Sequence, residues 1–328
     1  MQVAKAPECV GSDLAPVLGI AAQAVPEARW SSVRLLRAGI HGTIYRVMAP
    51  DHEPLIVKLR THAAERVVNF QRYLYPFTEG AIYRHLNLIS APFPRPRLCW
   101  TGQNDHGEWL VLEAVNGLPL SEIDIERTTD RTRLLEELGR LLRSIHACPP
   151  PASVDAFEWS TRFRSAFVLT ARELCQIDPA NVEIWQRCLN EGVPSVGMPV
   201  MQQGVLLHGD FVGSNILVKP TTAVSAVIDW EWSTVGDPLF DLARIEAAFL
   251  SASANQFYGN VAERKIFHTA YDQLPAAAAG PWWRAYLLYL LMAPLLSCLK
   301  LGLPIHAGRP PEYIVAAQCE NILLNTSL

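Results

Sequence analysis

Two short stretches concentrate the residue types that can do chemistry: His208-Gly209-Asp210-Phe211-Val212-Gly213-Ser214-Asn215 and Ile228-Asp229-Trp230-Glu231. Each follows a brief apolar run, Gly204-Val205-Leu206-Leu207 in the first case and Ala226-Val227-Ile228 in the second. Loops at strand ends are where a rigid scaffold presents reactive groups, so Asp210, Asn215 and Asp229 are expected around one cleft. Two carboxylates and a side-chain amide supply hard oxygen ligands and a possible base. Such a set suits Mg²⁺, which demands oxygen, takes few protein ligands and commonly bridges to phosphates. A lone Asp in a turn usually caps its own backbone. The ordered series of His, Asp, Asn and a second Asp, each after an apolar run, argues for a site instead.

The elements that must hold these groups are legible in the same way. Residues 31–59 alternate as strands, SSVRLLRAG, TIYRVMAP and PLIVKL, with Gly39 and Gly42 in the first break and Pro50 to Pro54 in the second. Residues 62–89 turn helical with an interruption at Pro76, and Thr78 can cap the second part. Further strands follow, including Trp109-Leu110-Val111-Leu112, so residues 1–115 read as a mostly β lobe. Asn116-Gly117-Leu118-Pro119 is the joint. Residues 116–328 read as mainly helical around the small β segment that carries the two polar clusters. The helical patterns there are 130–147, ended by Cys148-Pro149-Pro150-Pro151, and 157–192. The class is therefore α+β, a β lobe joined to a helical lobe.

With those motifs in place, the sequence resembles the aminoglycoside phosphotransferase and choline-kinase group, whose fold is protein-kinase-like. The matching stretches are LLHGDFVGSNILV (206–218) and VIDWEWSTVGDPLFDLARI (227–245), with AGIHGTIYRV (38–47), LIVKL (55–59), TEGAIYRHL (78–86) and WLVLEAVNG (109–117) in the β lobe. The resemblance implies a bilobed fold with a nucleotide-binding β lobe. It casts Asp210 as catalytic base and Asn215 and Asp229 as Mg²⁺ ligands. Lys58 becomes the strand lysine on the α/β-phosphates, and Glu79 its helix partner, with Glu65 as competitor. Gly39, Gly42 and Thr43 fall on the phosphate-covering loop, and Glu113, Ala114 and Val115 on the hinge that meets the adenine. Phosphoryl transfer needs positioning, charge neutralisation and an acceptor for the hydroxyl proton, which these residue types can give.

Several of these residues have plainer readings. Gly39 and Gly42 suit a hairpin turn. Lys58 among apolar neighbours suits a side chain snorkelling from an edge strand. His208 reads as shaping its loop, and Asp237 and Asp241 as caps or loop anchors; for Glu231 the sequence leaves a contact with metal or substrate undecided. Unlike a protein kinase, the chain has no HRD, no DFG and no APE closing an activation loop after the metal segment, so a small hydroxylated acceptor is expected rather than a protein. Residues 150–200 would form the helical insertion that walls its pocket. The resemblance implies transfer of the γ-phosphate of ATP or GTP to a hydroxyl of an aminoglycoside-like antibiotic or related molecule. Choline, a sugar or a natural-product intermediate is the alternative acceptor, and a catalytically silent nucleotide-binding protein is the alternative of another class.

Composition sets the outer bounds. The 328 residues are 50% hydrophobic and 18% charged, which excludes a disordered or fibrous chain. A net charge of −4 offers no polybasic footprint for nucleic acid or an anionic membrane. Residues 1–150 carry a net +1 and residues 151–328 a net −5, a bias that suits a cationic acceptor. Seven scattered cysteines, never spaced as CxxC, fit reduced thiols in a cytoplasmic protein. Ala22-Gln23-Ala24 resembles a leader cleavage site, but Pro16 interrupts the apolar run before it. A short helix capped by Asp13 is expected there instead. The apolar run 285–299 contains Pro294 and is shorter than the ~20 residues that cross a bilayer, so it is expected as a buried helix.

Overall fold

The computed structural model describes residues 14–38, 42–61, 74–104, 107–123, 131–152, 158–194, 204–219, 223–250, 260–272, 280–302 and 312–324. Gly39 and Glu65, expected on the phosphate loop and as a rival lysine partner, lie outside them. The chain divides into two compact units. The first takes the described residues of Met1–Val68, Gly80–Ser90 and Arg95–Asn116, and the second those of Asn69–Glu79, Ala91–Pro94 and Gly117–Leu328.

The first unit is an antiparallel sheet with strands β1 (Ser32–Ala38), β2 (Gly42–Ala49), β3 (His52–Thr61), β4 (Leu98–Asn104) and β5 (Gly107–Glu113), in the order β1-β2-β3-β5-β4. Helix α1 (Ala15–Ala24) covers one face, where Val17 and Ala21 pack with Val33, Val47, Leu55, Val57 and Val111. That core explains the alternation in the sequence, since every second residue of a strand faces the helix. Helix α1 has Leu14 at its N-cap position without a side-chain cap, and the expected cap Asp13 lies outside the described residues. Lys58 is not on an edge: β3 is the central strand, and Lys58 lies between Ile44 and Leu110 with only 7% of its surface exposed. Helix α2 (Glu79–Leu88) follows β3 in the chain.

The second unit is mainly helical, with α3 (Arg131–His146), α4 (Trp159–Ile177), α5 (Val182–Glu191), α6 (Leu239–Leu250), α7 (Val261–Tyr271), α8 (Pro281–Leu301) and α9 (Glu312–Leu324). The pattern over 157–192 is two helices rather than one, broken at Asp178–Asn181 where Pro179 opens a short turn. Its aromatic core gathers Trp159, Phe163, Phe167, Phe240, Tyr286 and Tyr289, all fully buried. Helix α8 is apolar all round, as a buried helix must be. At 21 residues it is long and apolar enough to cross a membrane by length and composition, contrary to the shorter run expected, although most of it is buried in this unit.

Short strands complete the unit. These are β6 (Leu118–Pro119), β7 (Val205–Leu207), β8 (Ile216–Val218), β9 (Val224–Val227) and β10 (Thr234–Gly236). β8 pairs antiparallel with both β6 and β9, and β7 pairs with β10. Ile216 faces Val227, and the Ile228 N–H donates to the Asn215 carbonyl at 2.9 Å. The hairpin therefore brings Asn215 and Asp229 to the same end of adjacent strands.

Candidate active site

The loop between β7 and β8 is held from below by α6. Asp241, fully buried in the first turn of that helix, accepts the N–H of His208 and of Gly209, each at 2.8 Å. Gly209 must be glycine: its φ is +80°, and a Cβ would sit 1.8 Å from the Trp232 carbonyl oxygen. His208 joins the two reactive stretches. Its Nδ1 lies 3.3 Å from the Asp210 N–H and its Nε2 3.1 Å from the Ile228 carbonyl, so the neutral Nε2–H tautomer satisfies both. Burial pushes the imidazole below its usual pKa range and favours that neutral form. Asp237 accepts the Leu239 N–H at 2.9 Å as the cap of α6 and takes the Tyr286 hydroxyl at 2.9 Å, while burial pushes its carboxyl up.

Asp210 is gripped on both oxygens. Asn215 Nδ2 donates to Oδ2 at 2.9 Å and to the Asp210 carbonyl at 2.9 Å, and Arg244 Nε donates to Oδ1 at 2.7 Å. The two donations fix the Asn215 amide with its Oδ1 turned away from Asp210. Asp229 has φ +67° and ψ +62°, the left-handed region that Asp tolerates better than most residues. Beside it, ligand oxygens of Asp229, Glu231 and Glu79 lie within 4.8 Å of one another. Glu79 also accepts the Trp230 N–H at 3.2 Å and is 1% exposed. Three clustered carboxylates form the hard donor set that a divalent Mg²⁺ requires, so these residues fit that ion.

In the first unit, Gly42 opens β2 with φ +156°, and a Cβ there would meet the Leu59 carbonyl oxygen at 2.0 Å. A close approach of two strands thus already demands glycine at this position. Thr43 follows it, facing Leu59. Glu113 ends β5 with its carboxylate on Arg97 at 2.7 Å. The Glu113 and Ala114 N–H groups donate to the carbonyls of Arg97 and Pro54 at 3.0 and 3.1 Å. An N–H contact to a ligand from this stretch would therefore fall to Val115.

Asp210, Asn215, Asp229 and Glu79 thus come together within the second unit, and Gly42, Thr43, Lys58 and Glu113 to Val115 belong to the first. Asp241, expected as a cap or loop anchor, does anchor the loop, through the His208 and Gly209 N–H groups, and sequence reasoning missed Arg244. The signal was present in Asp241-Leu242-Ala243-Arg244, because residues three apart share one helix face.

A family model of the phosphotransferase enzyme family matches residues 32–280. The chain belongs to that family. It is 49% identical over 262 residues to acyl-CoA dehydrogenase family member 10 of Mus musculus, covering 80% of this chain and 20% of that protein. The chain therefore spans about one fifth of that relative. It is 28% identical over 172 residues to an aminoglycoside 3'-phosphotransferase of Streptomyces fradiae, covering 51% of this chain and 62% of that one. In three dimensions it is similar to aminoglycoside phosphotransferase APH(2'')-IIa, solved with streptomycin and ATP. The TM-score is 0.60 at 14% identity, covering 97% of this chain and 98% of the other. The α+β, protein-kinase-like architecture read from the sequence is the one observed.

Proposed function

We propose that this phosphotransferase is a small-molecule kinase that moves the γ-phosphoryl group of ATP, or GTP, to a hydroxyl of its acceptor. The observation that carries the reading is the Asp210 carboxylate, fixed by Asn215 and Arg244 beside the Asp229–Glu231–Glu79 acid cluster. In this reading Asp210 accepts the proton of the acceptor hydroxyl. Asn215 and Asp229 hold Mg²⁺, with Glu231 and Glu79 in reach. The ion, when bound, neutralises phosphate charge. In the β unit Lys58 meets the α/β-phosphates, Gly42 and Thr43 belong to the loop that covers them, and Val115 of the 113–115 stretch offers its N–H to the base. Glu79 is the residue proposed to pair with Lys58 as well as to face the cluster. The net −5 of residues 151–328 favours a cationic acceptor of the aminoglycoside kind over a neutral sugar, and a cytoplasmic setting suits the scattered cysteines.

The test is a phosphate-transfer screen over aminoglycosides, macrolides, choline and sugars, repeated with two variants. Asp210→Asn should lower kcat by at least ~10²-fold at unchanged nucleotide affinity. Asp229→Asn, which keeps the backbone conformation, should abolish the Mg²⁺-dependent thermal shift with ATP. Near-wild-type turnover of Asp210→Asn would remove it from the role. Mg²⁺-dependent nucleotide binding without transfer to any acceptor would favour the silent nucleotide-binding reading.

A further inference from the structure

We propose that Arg244 is a positioning residue for Asp210, which rests on the reading of Asp210 as the base. Helix α6 presents two side chains of one face to the reactive loop. Asp241 takes the backbone N–H groups of His208 and Gly209, and Arg244, one turn on, takes the Asp210 carboxylate itself. The pair is partly sheltered, with 20% of the Arg244 side chain and 21% of the Asp210 side chain exposed. Each carboxylate oxygen then has one donor, Nε of Arg244 on Oδ1 and Nδ2 of Asn215 on Oδ2. Donors on both oxygens, from two different elements, set the plane of the carboxylate. An ionised carboxylate has about four acceptor positions, so each oxygen keeps one for the acceptor hydroxyl.

The division of labour on α6 separates this role from simple bracing. Asp241 already anchors the loop through its backbone, so losing Arg244 leaves the loop in place and frees only the orientation of the reacting group. A charge-assisted N–H···O bond of 2.7 Å is short and directional, and a misplacement of about 1 Å at a reacting group can cost ~10²-fold in rate. The guanidinium fork holds that direction where an ammonium would act as a point charge.

The experiment compares Arg244→Met and Arg244→Lys with the unaltered chain, using the best acceptor and ATP with Mg²⁺. Arg244→Met should lower kcat about 10–10²-fold. Its KM for ATP should stay within about twofold, since Arg244 touches no residue assigned to the nucleotide. Its unfolding midpoint should shift by no more than about 4 °C, as for other partly exposed pairs. Arg244→Lys should recover part of the rate by restoring one cationic donor. The deciding readout is a double-mutant cycle: in an Asp210→Asn background, Arg244→Met should cost almost nothing further. An equal loss in both backgrounds, a loss that tracks the unfolding midpoint, or an Arg244→Met enzyme of full activity would overturn the proposal. If Arg244→Met does not fold, the same cycle with Arg244→Lys decides. Full turnover by Asp210→Asn would instead fail the base assignment, a result separate from any effect at position 244.

Discussion

Helix α6 carries two buried carboxylates, five residues apart, and each is paired with a histidine. Asp241 meets His146 Nε2 at 3.1 Å, and His146 Nδ1 lies 2.7 Å from the Tyr271 hydroxyl. Glu246 meets His268 Nε2 at 2.8 Å and Arg264 Nε at 2.9 Å. The partners Tyr271, His268 and Arg264 all belong to α7, so the two clusters look alike as packing devices. They differ in what else the carboxylate touches. Asp241 also takes two N–H groups of the reactive loop, whereas Glu246 spends Oε1 on the Arg264 and His268 side chains of α7. Similar carboxylate–histidine pairs therefore differ in that one of them also holds the loop of the candidate site.

Substitutions can break or sharpen that contrast. Asp241→Asn should have the largest effect, because the amide must turn its NH₂ toward N–H donors that need an acceptor. Removing one partner from a buried ionic network costs about 3–5 kcal/mol, and the loosened loop should lower kcat by about 10²-fold as well. Calorimetry and steady-state rates on one preparation check both halves. Glu246→Gln should come next, losing about 1–3 kcal/mol of stability while kcat stays within about threefold. A large kcat loss there would erase the distinction between the two clusters. Tyr271→Phe should be the mildest, removing one hydrogen bond worth about 1 kcal/mol with the Asp241 carboxylate still in place. If its kcat fell as far as that of Asp241→Asn, the hydroxyl would have to act on the loop through His146, and the backbone grip would not be the cause.

Much of the molecule was legible because its signals are local. The three strands over residues 31–59 show their alternation, and the polar clusters after β7 and β9 announce themselves by residue type. What sequence could not show are pairings made across the chain by backbone or by geometry. The Asp241 oxygens are used on N–H groups 32 and 33 residues away, which no side-chain type encodes. Arg244 reaches Asp210 across 34 residues, and Glu79 reaches the Trp230 N–H across 151. The plainer edge-strand reading of Lys58 is set aside only by strand order, which depends on pairing with β5, a strand far along the chain. The break at Asp178–Asn181 was hidden because apolar periodicity continues on both sides of it.

The left-handed backbone at Asp229 reaches beyond this one chain. Two independent filters act on the position. The backbone admits Gly, Asn and Asp readily and disfavours most other residues, while the metal role proposed for Asp229 favours the one member of that trio that brings a negative charge. Drift at this position is therefore channelled rather than free. A relative that has given up phosphoryl transfer but kept its shape should show Asn or Gly here, with the hairpin of β8 and β9 intact. Under the proposed metal role, position 229 should then separate silent from active members of the family by sequence.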